Sequence, residues 1–248
     1  MLEAKNIRRT KNSVPVLSRN EIDRLGEEII QMVCPKLLTQ PAAFDIEHFT
    51  EIEMNLAIDY VFLSHCQCYL GMMAFDDIVH PIWNPETKRA EYLKISAGTV
   101  LIDNSLLAEN QEHRFRFTLA HEVAGHAFLH RPYYHQDRDQ LSFFDDVISV
   151  SPCRKPGSYI NIHGSDDISW MEWQADCMAA AVLMPRSASV ILLNEARNQF
   201  GYQRSFSSYN LFSDHYAHLL SDTFNVSMEA ARIRAEQINP NYGNQPFI

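Results

Sequence analysis

The segment Arg116 to His130, RFTLAHEVAGHAFLH, constrains this chain more than any other. Phe117, Leu119, Ala120, Ala127, Phe128 and Leu129 recur at helical spacing and predict a largely buried helix over residues 112 to 131. Inside that apolar stretch stand His121, Glu122 and His126, and polar groups taken out of water need partners. A zinc ion held by the two imidazoles, with the neighbouring carboxylate placed to take a proton from a water, would supply them. The spacing is the obstacle. In HExxH the histidines lie about 40° apart round a helix of about 3.6 residues per turn, whereas a five-residue separation puts them about 140° apart. A regular α-helix cannot aim both rings at one ion. A π-bulge absorbs one residue, such bulges gather at functional sites, and Gly125 tolerates backbone strain. The spacing therefore predicts a departure from α-helical bonding over residues 122 to 126.

A second segment, WMEWQADCMAAAVLMP at residues 170 to 185, carries Glu172 and Asp176 four apart on one helical face. Glu172 can complete the metal set, and Asp176 can accept the ring N–H of a liganding histidine and so fix its tautomer. Ala175, Ala179, Ala180 and Ala181 keep this helix slim enough to approach the first closely. The plainer alternative is that the alanines are good helix formers and both carboxylates face water.

The rest of the chain reads as α+β. Residues 1 to 17 are a polar, basic, loosely held arm. From Ser18, with Ser18 or Asn20 as cap, Ile22, Leu25, Ile29, Ile30 and Val33 predict a helix; a second starts at Asp45 with Ile46, Phe49, Ile52 and Leu56 inward. YVFLSH, CYLGMM, EYLKI and TVLID then predict a small sheet of about four strands, and helices follow over 169–184, 186–198, 207–223 and 227–238. Residues 132 to 167, rich in Pro, Gly and Asp, form a long crossing. Strands bunched before helices predict one fused core. The boundaries drawn are a metal-binding domain over 18–198, a C-terminal helical region over 199–240 packed on it, and a tail over 241–248.

Charge narrows the function. The net charge of −10 repels a phosphate backbone. FNVSMEAARIRAEQ, with a turn at Asn225, a cap at Ser227 and apolar positions Ala230, Ala231 and Ile233, has the shape of the second helix of a helix-turn-helix. Its cations are only Arg232 and Arg234, so direct DNA binding is not expected. The five scattered cysteines, including Cys66 and Cys68 on a predicted strand, read as reduced thiols. With no membrane-spanning run and no secretory leader, the expected location is the cytoplasm.

The hexapeptide HEVAGH is similar to the HExxGH zinc site of the dipeptidyl peptidase III family. More extensively, RFTLAHE…GH…LH followed by ExxAD…AA.LMP resembles the ImmA/IrrE family of bacterial and phage metallopeptidases, over roughly residues 20 to 238. The order of elements is similar too, from an N-terminal helix through TVLIDNSL to FNVSMEAARIR. The resemblance implies a small mixed sheet on a helical zincin-like core, with His121, His126 and Glu172 as zinc ligands and Glu122 as the catalytic glutamate. Asp176 stands where that family often has Asn. The sequence departs by one inserted residue between Glu122 and His126, while His126 and His130 keep the family's next spacing. His130 is read as a packing or capping residue. His163, Tyr159 and His215 are candidate oxyanion donors. The resemblance implies a zinc-dependent endopeptidase that cuts a specific helix-turn-helix repressor of a mobile element or stress response. The alternative is a non-catalytic binding protein of the same fold with an altered or empty metal site.

Overall fold

The run TVLID is apolar without alternation, and a strand of that kind belongs where both faces are covered. In the computed structural model, which describes residues 4, 7–134, 150–154, 166–200 and 206–238, this run is the strand β5, Thr99–Asp103, buried along its length. It lies between β1, Ala57–Val61, with which it runs parallel, and β2, Tyr69–Ala74, with which it runs antiparallel. The strand β6, Val150–Arg154, adds to the other side of β2, giving the order β1-β5-β2-β6. Asp103 ends β5 with its buried carboxylate accepting from the N–H groups of Leu63 at 2.8 Å and Ser105 at 3.0 Å.

EYLKI is not part of this sheet. It belongs to β4, Arg89–Ile95, which among the described residues pairs with β3, Ile78–Asn84, in a separate hairpin. The sequence reading omits β3 because Pro81 interrupts it, and a two-stranded hairpin tolerates a proline that a central strand would not. Side chains alternate across β2. Met72 and Ala74 join Leu101, Ile95, Ile78 and Leu93 on the hairpin side, and Gly71 faces the helix that follows β5.

That helix begins as α3, Glu112–Ala120, becomes a π-helix over His121–His130 and closes as α4, Arg131–Tyr134. Before the sheet come α1, Arg19–Val33, and the short α2, Ile46–His48. After β6 come α5, Asp166–Leu183, α6, Arg186–Phe200, α7, Phe206–Phe224, and α8, Met228–Ile238. The class is α+β. Ser18 and Glu21 cap α1 reciprocally, the Ser18 N–H donating to Glu21 Oε2 at 2.7 Å and the Glu21 N–H to Ser18 Oγ at 3.4 Å. The second helix is far shorter than its periodicity predicts. It widens into a π turn over Phe49–Glu53, Thr50 takes the inward place with its hydroxyl donating to the Ile46 carbonyl, and Ile52 is left exposed.

The chain divides into two compact units, Met1–Glu21 with Ile46–Ala179, and Ile22–Asp45 with Ala180–Ile248. This does not follow a single fused core or the boundary read at residue 198, because α1 and α6 group with the C-terminal helices. Nor is the arm loose where it is described. Val14 and Pro15 are buried, Arg9 bridges to Pro15, and Arg9 Nη1 donates to the Leu129 carbonyl at 3.0 Å.

In the second unit Arg234 is buried to 1 % exposure, so it does not face solvent as a phosphate-binding cation would. Its Nη1 donates to Asp23 Oδ1 at 2.7 Å and its Nε to the Met184 carbonyl at 3.0 Å. The turn at Asn225 and the Ser227 cap form as read, yet the inward residues of α8 are Ala231, Arg234, Ala235 and Ile238, while Ile233 is exposed. Arg232 pairs with Asp214 at 3.4 Å. Among the described residues no single helix is long and apolar enough to cross a membrane.

Both partners of the Asp23–Arg234 pair are buried, so removing Asp23 leaves the guanidinium uncompensated, and removing Arg234 leaves Asp23 only the longer contact to Arg186 at 3.5 Å. Asp23→Ala and Arg234→Ala should each lower unfolding stability by about 3–5 kcal/mol, and Asp23→Leu with Arg234→Met together should cost less than either single change. Urea denaturation of the three variants beside the parent measures this, and a double variant as unstable as the singles would refute it.

Candidate metal centre

The π-helix His121–His130 is the departure that the histidine spacing demands, and at ten residues it extends beyond the 122 to 126 expected. It starts where the His121 N–H is shared between the Phe117 and Thr118 carbonyls. A ladder bonded to the fifth residue brings side chains five apart toward one face. The rings of His121, His126 and His130 consequently form a file, with centroids 4.9 Å and 5.0 Å apart.

Gly125 acts differently from its expected part. Among the described glycines only Gly98 has a positive φ, so residue 125 does not need glycine for its backbone conformation. It needs glycine for space. A Cβ there would lie 2.5 Å from Ala175 Cβ and 2.7 Å from Ala175 Cα. The small residues expected to slim α5 do so at this crossing, which sets Glu172 and Asp176, on the same face as Ala175, against the file of histidines.

Three ligand atoms converge. His121 Nε2 and His126 Nε2 are 3.1 Å apart, and Glu172 reaches both, with Oε2 3.3 Å from His121 Nε2 and Oε1 3.3 Å from His126 Nε2. A tetrahedral zinc site with bonds of about 2.0–2.1 Å has ligand–ligand edges of about 3.3 Å. His121, His126 and Glu172 can thus hold a metal ion. Asp176 Oδ1 stands 2.9 Å from His121 Nδ1 and accepts its N–H, which leaves the lone pair of His121 on Nε2.

The electrostatics favour a cation at this point. His121 is 2 % exposed and His126 fully buried, and burial pushes the His126 ring below the usual histidine range despite Glu172 beside it. Burial also pushes the Glu172 carboxyl up, but the His121 and His126 rings, each 3.3 Å away, outweigh it and hold the group well below the usual carboxylate range. Neutral imidazole and ionised carboxylate are the forms that bind metal. The Glu172 side chain is 36 % exposed, so the set is open on the α5 side.

Glu122 is completely buried and packs against β2. A Cβ at Gly71 would lie 3.1 Å from Glu122 Cγ and 3.3 Å from Oε1, so the glycine makes room for the carboxylate. Of the candidate oxyanion donors, Tyr159 and His163 lie outside the described residues. His215 lies on α7 in the second unit, where its Nε2 meets Gln199 Oε1 at 2.7 Å. His130 is fully buried and packs, as read, with Nδ1 3.1 Å from His126 Nδ1 and Nε2 3.0 Å from Gln174 Oε1. Gln174 escaped the sequence reading; its signal was an uncharged amide among the apolar positions of α5. Cys34, Cys66, Cys68 and Cys177 form no disulfide, and Cys66 Sγ donates to Cys68 Sγ at 2.7 Å.

Gly125→Ala should therefore weaken the hold of this set on a metal ion such as zinc by forcing the two helices apart, and overpacking of this kind costs about 1–3 kcal/mol of stability. Chelator competition and thermal melting of the variant check both effects, and unchanged zinc affinity would show that the Ala175 contact does not hold Glu172 in place. The sequence matches no protein-family model and no curated protein.

Proposed function

We propose that this chain is a zinc-dependent endopeptidase of the gluzincin-like type, similar to the ImmA/IrrE metallopeptidases. The observation that carries the reading is the convergence of His121, His126 and Glu172, with Glu122 next in sequence to a ligand yet outside the ligand set. Two imidazoles and one carboxylate are a donor set of catalytic zinc, which keeps a position open for water or substrate. Zinc bound there would supply Lewis acidity toward the scissile carbonyl and lower the pKa of water. Glu122 would take the proton of the attacking water and deliver it to the leaving amine. Its packing against Gly71 places that carboxylate beside a strand of the sheet. Asp176 would hold His121 in the tautomer that presents Nε2.

The zincin-like core, the helix-turn-helix-like C-terminal segment and the cytoplasmic location belong to the same reading. So does the substrate class, a helix-turn-helix transcriptional repressor. Such a repressor carries a basic DNA-binding surface, and the net charge of −10 favours its approach.

Glu122→Gln should lower repressor cleavage by about 10²- to 10⁴-fold, the usual cost of losing a general base, with zinc retained. His121→Ala and Glu172→Ala should lose zinc and cleavage together. Co-expression of each variant with the repressor encoded nearby, gel analysis of the products and metal analysis of the purified proteins separate these outcomes. Stoichiometric zinc with no cleavage by the parent would favour the non-catalytic binding protein, and cleavage by Glu122→Gln at the parent's rate would remove Glu122 from the chemistry.

A further inference from the structure

The metal set leaves three buried groups beside it unexplained. His130 and Gln174 are fully buried, and the Pro15 carbonyl of the N-terminal segment reaches them from a distant part of the sequence. Their order is continuous. Gln174 Nε2 donates to the Pro15 carbonyl at 2.8 Å, Gln174 Oε1 stands 3.0 Å from His130 Nε2, and His130 Nδ1 stands 3.1 Å from His126 Nδ1. We propose that the Pro15 carbonyl, acting through Gln174 and His130, sets which nitrogen of His126 faces the metal position, so that the N-terminal segment is a working part of the metal centre. The proposal rests on the metal-site reading above and extends it to residues that touch no metal.

The direction of every bond follows from the first. A carbonyl oxygen only accepts, so the side of Gln174 facing Pro15 must be its NH2 group; the flipped amide would set two oxygens against each other. Gln174 Oε1 is thereby turned to His130 and can only accept. His130 must then carry its proton on Nε2, which leaves a lone pair on Nδ1. His126 must donate from Nδ1, and its own lone pair is delivered on Nε2, the atom that meets His121 Nε2 and Glu172. The opposite tautomer of His126 would put a proton where a metal should bind.

The segment is held well enough to serve as a reference point. Trp170 Nε1 donates to the same Pro15 carbonyl at 3.2 Å. Arg9 Nη1 donates to the carbonyls of Ser13 at 2.8 Å and Leu129 at 3.0 Å, and Asn12 Nδ2 donates to Asp167 Oδ2 at 2.7 Å. These contacts tie it both to the end of the π-helix and to α5. His130, Gln174 and Pro15 are positioning groups, since each acts through His126.

The test uses full-length protein labelled with 15N-histidine, long-range 1H–15N correlation spectra of the zinc-loaded form, in which a cation separates the two Nε2 lone pairs, and zinc affinity from chelator competition. In the parent, His126 should appear as the single tautomer protonated on Nδ1. His130→Phe fills the space without an acceptor, and Gln174→Met removes the amide. Each should lower zinc affinity about 10–100-fold, the usual effect of removing an outer partner of a metal-bound histidine, and should shift His126 toward Nε2 protonation. His130→Asn, which keeps an acceptor near the place of Nδ1, should retain the parent's tautomer and affinity. Arg9→Ala, which loosens the segment without touching the relay, should move both readouts in the same direction as Gln174→Met. Should His130→Phe fail to fold, Gln174→Met carries the test. Lowered affinity with His126 still protonated on Nδ1 would mean simple packing and would overturn the relay. Unchanged affinity and tautomer in both variants would overturn it as well. A parent that binds no zinc would sink the metal reading, whereas zinc binding with the tautomer and affinity of both variants unchanged would sink the relay alone.

Discussion

The contact between Gly125 and Ala175 governs this site. Two helices from distant parts of the chain meet there without room for one further carbon, a Cβ at residue 125 lying 2.5 Å from the neighbouring methyl. Only at that separation can the short Glu172 side chain stand 3.3 Å from rings carried by the other helix. The same approach brings Asp176 to His121 and Gln174 to His130. One missing side chain thus aligns three polar residues of α5 with three histidines.

The π-helix contributes the other half. Its wider ladder is less favourable than α-helical bonding and persists where surrounding structure supports it. Here the support is burial, since each of its ten residues is inaccessible, with β2 and α5 packed against it. It converts an unfavourable spacing into a file of rings in which the Nε2 atoms of His121 and His126 meet at one place and His130 stands behind them. Glu122, on the same helix, is directed instead to the gap left by Gly71. Ligand and proposed base are therefore adjacent in sequence yet differently housed.

The second unit is organised by a different kind of contact. Asp23 and Arg234 are 211 residues apart and share a hydrogen bond in surroundings that exclude water. The Met184 carbonyl accepts from the same guanidinium, so α1, α8 and the end of α5 are tied through one cation. This is why α8, the helix whose arginines suggested a phosphate contact, offers so little charge to a partner. Arg234 is spent on packing, and Arg232 is paired with Asp214.

Much of this was legible in the residues themselves. Periodicity located α1 and α5 to α8 because each buries one face at 3.6-residue spacing, and the unbroken apolar run TVLID marked a strand covered on both sides. Two histidines five apart in a buried helix required a π-helix if they were to share an ion, which is an argument from angles alone. Local pattern could not show what depends on partners far along the chain. It assigned Gly125 to backbone strain when its use is space, counted Ile233 among the apolar positions of its helix and Arg234 among the cations when Ile233 is exposed and Arg234 buried, and treated residues 9 to 17 as loose when Pro15 accepts from Gln174. Sequence determines what each segment can form by itself and which residues need partners. Tertiary structure alone decides which partners they meet, because a helix crossing, a buried ion pair and a carbonyl 159 residues from its donor are set by packing distance and not by position in the chain.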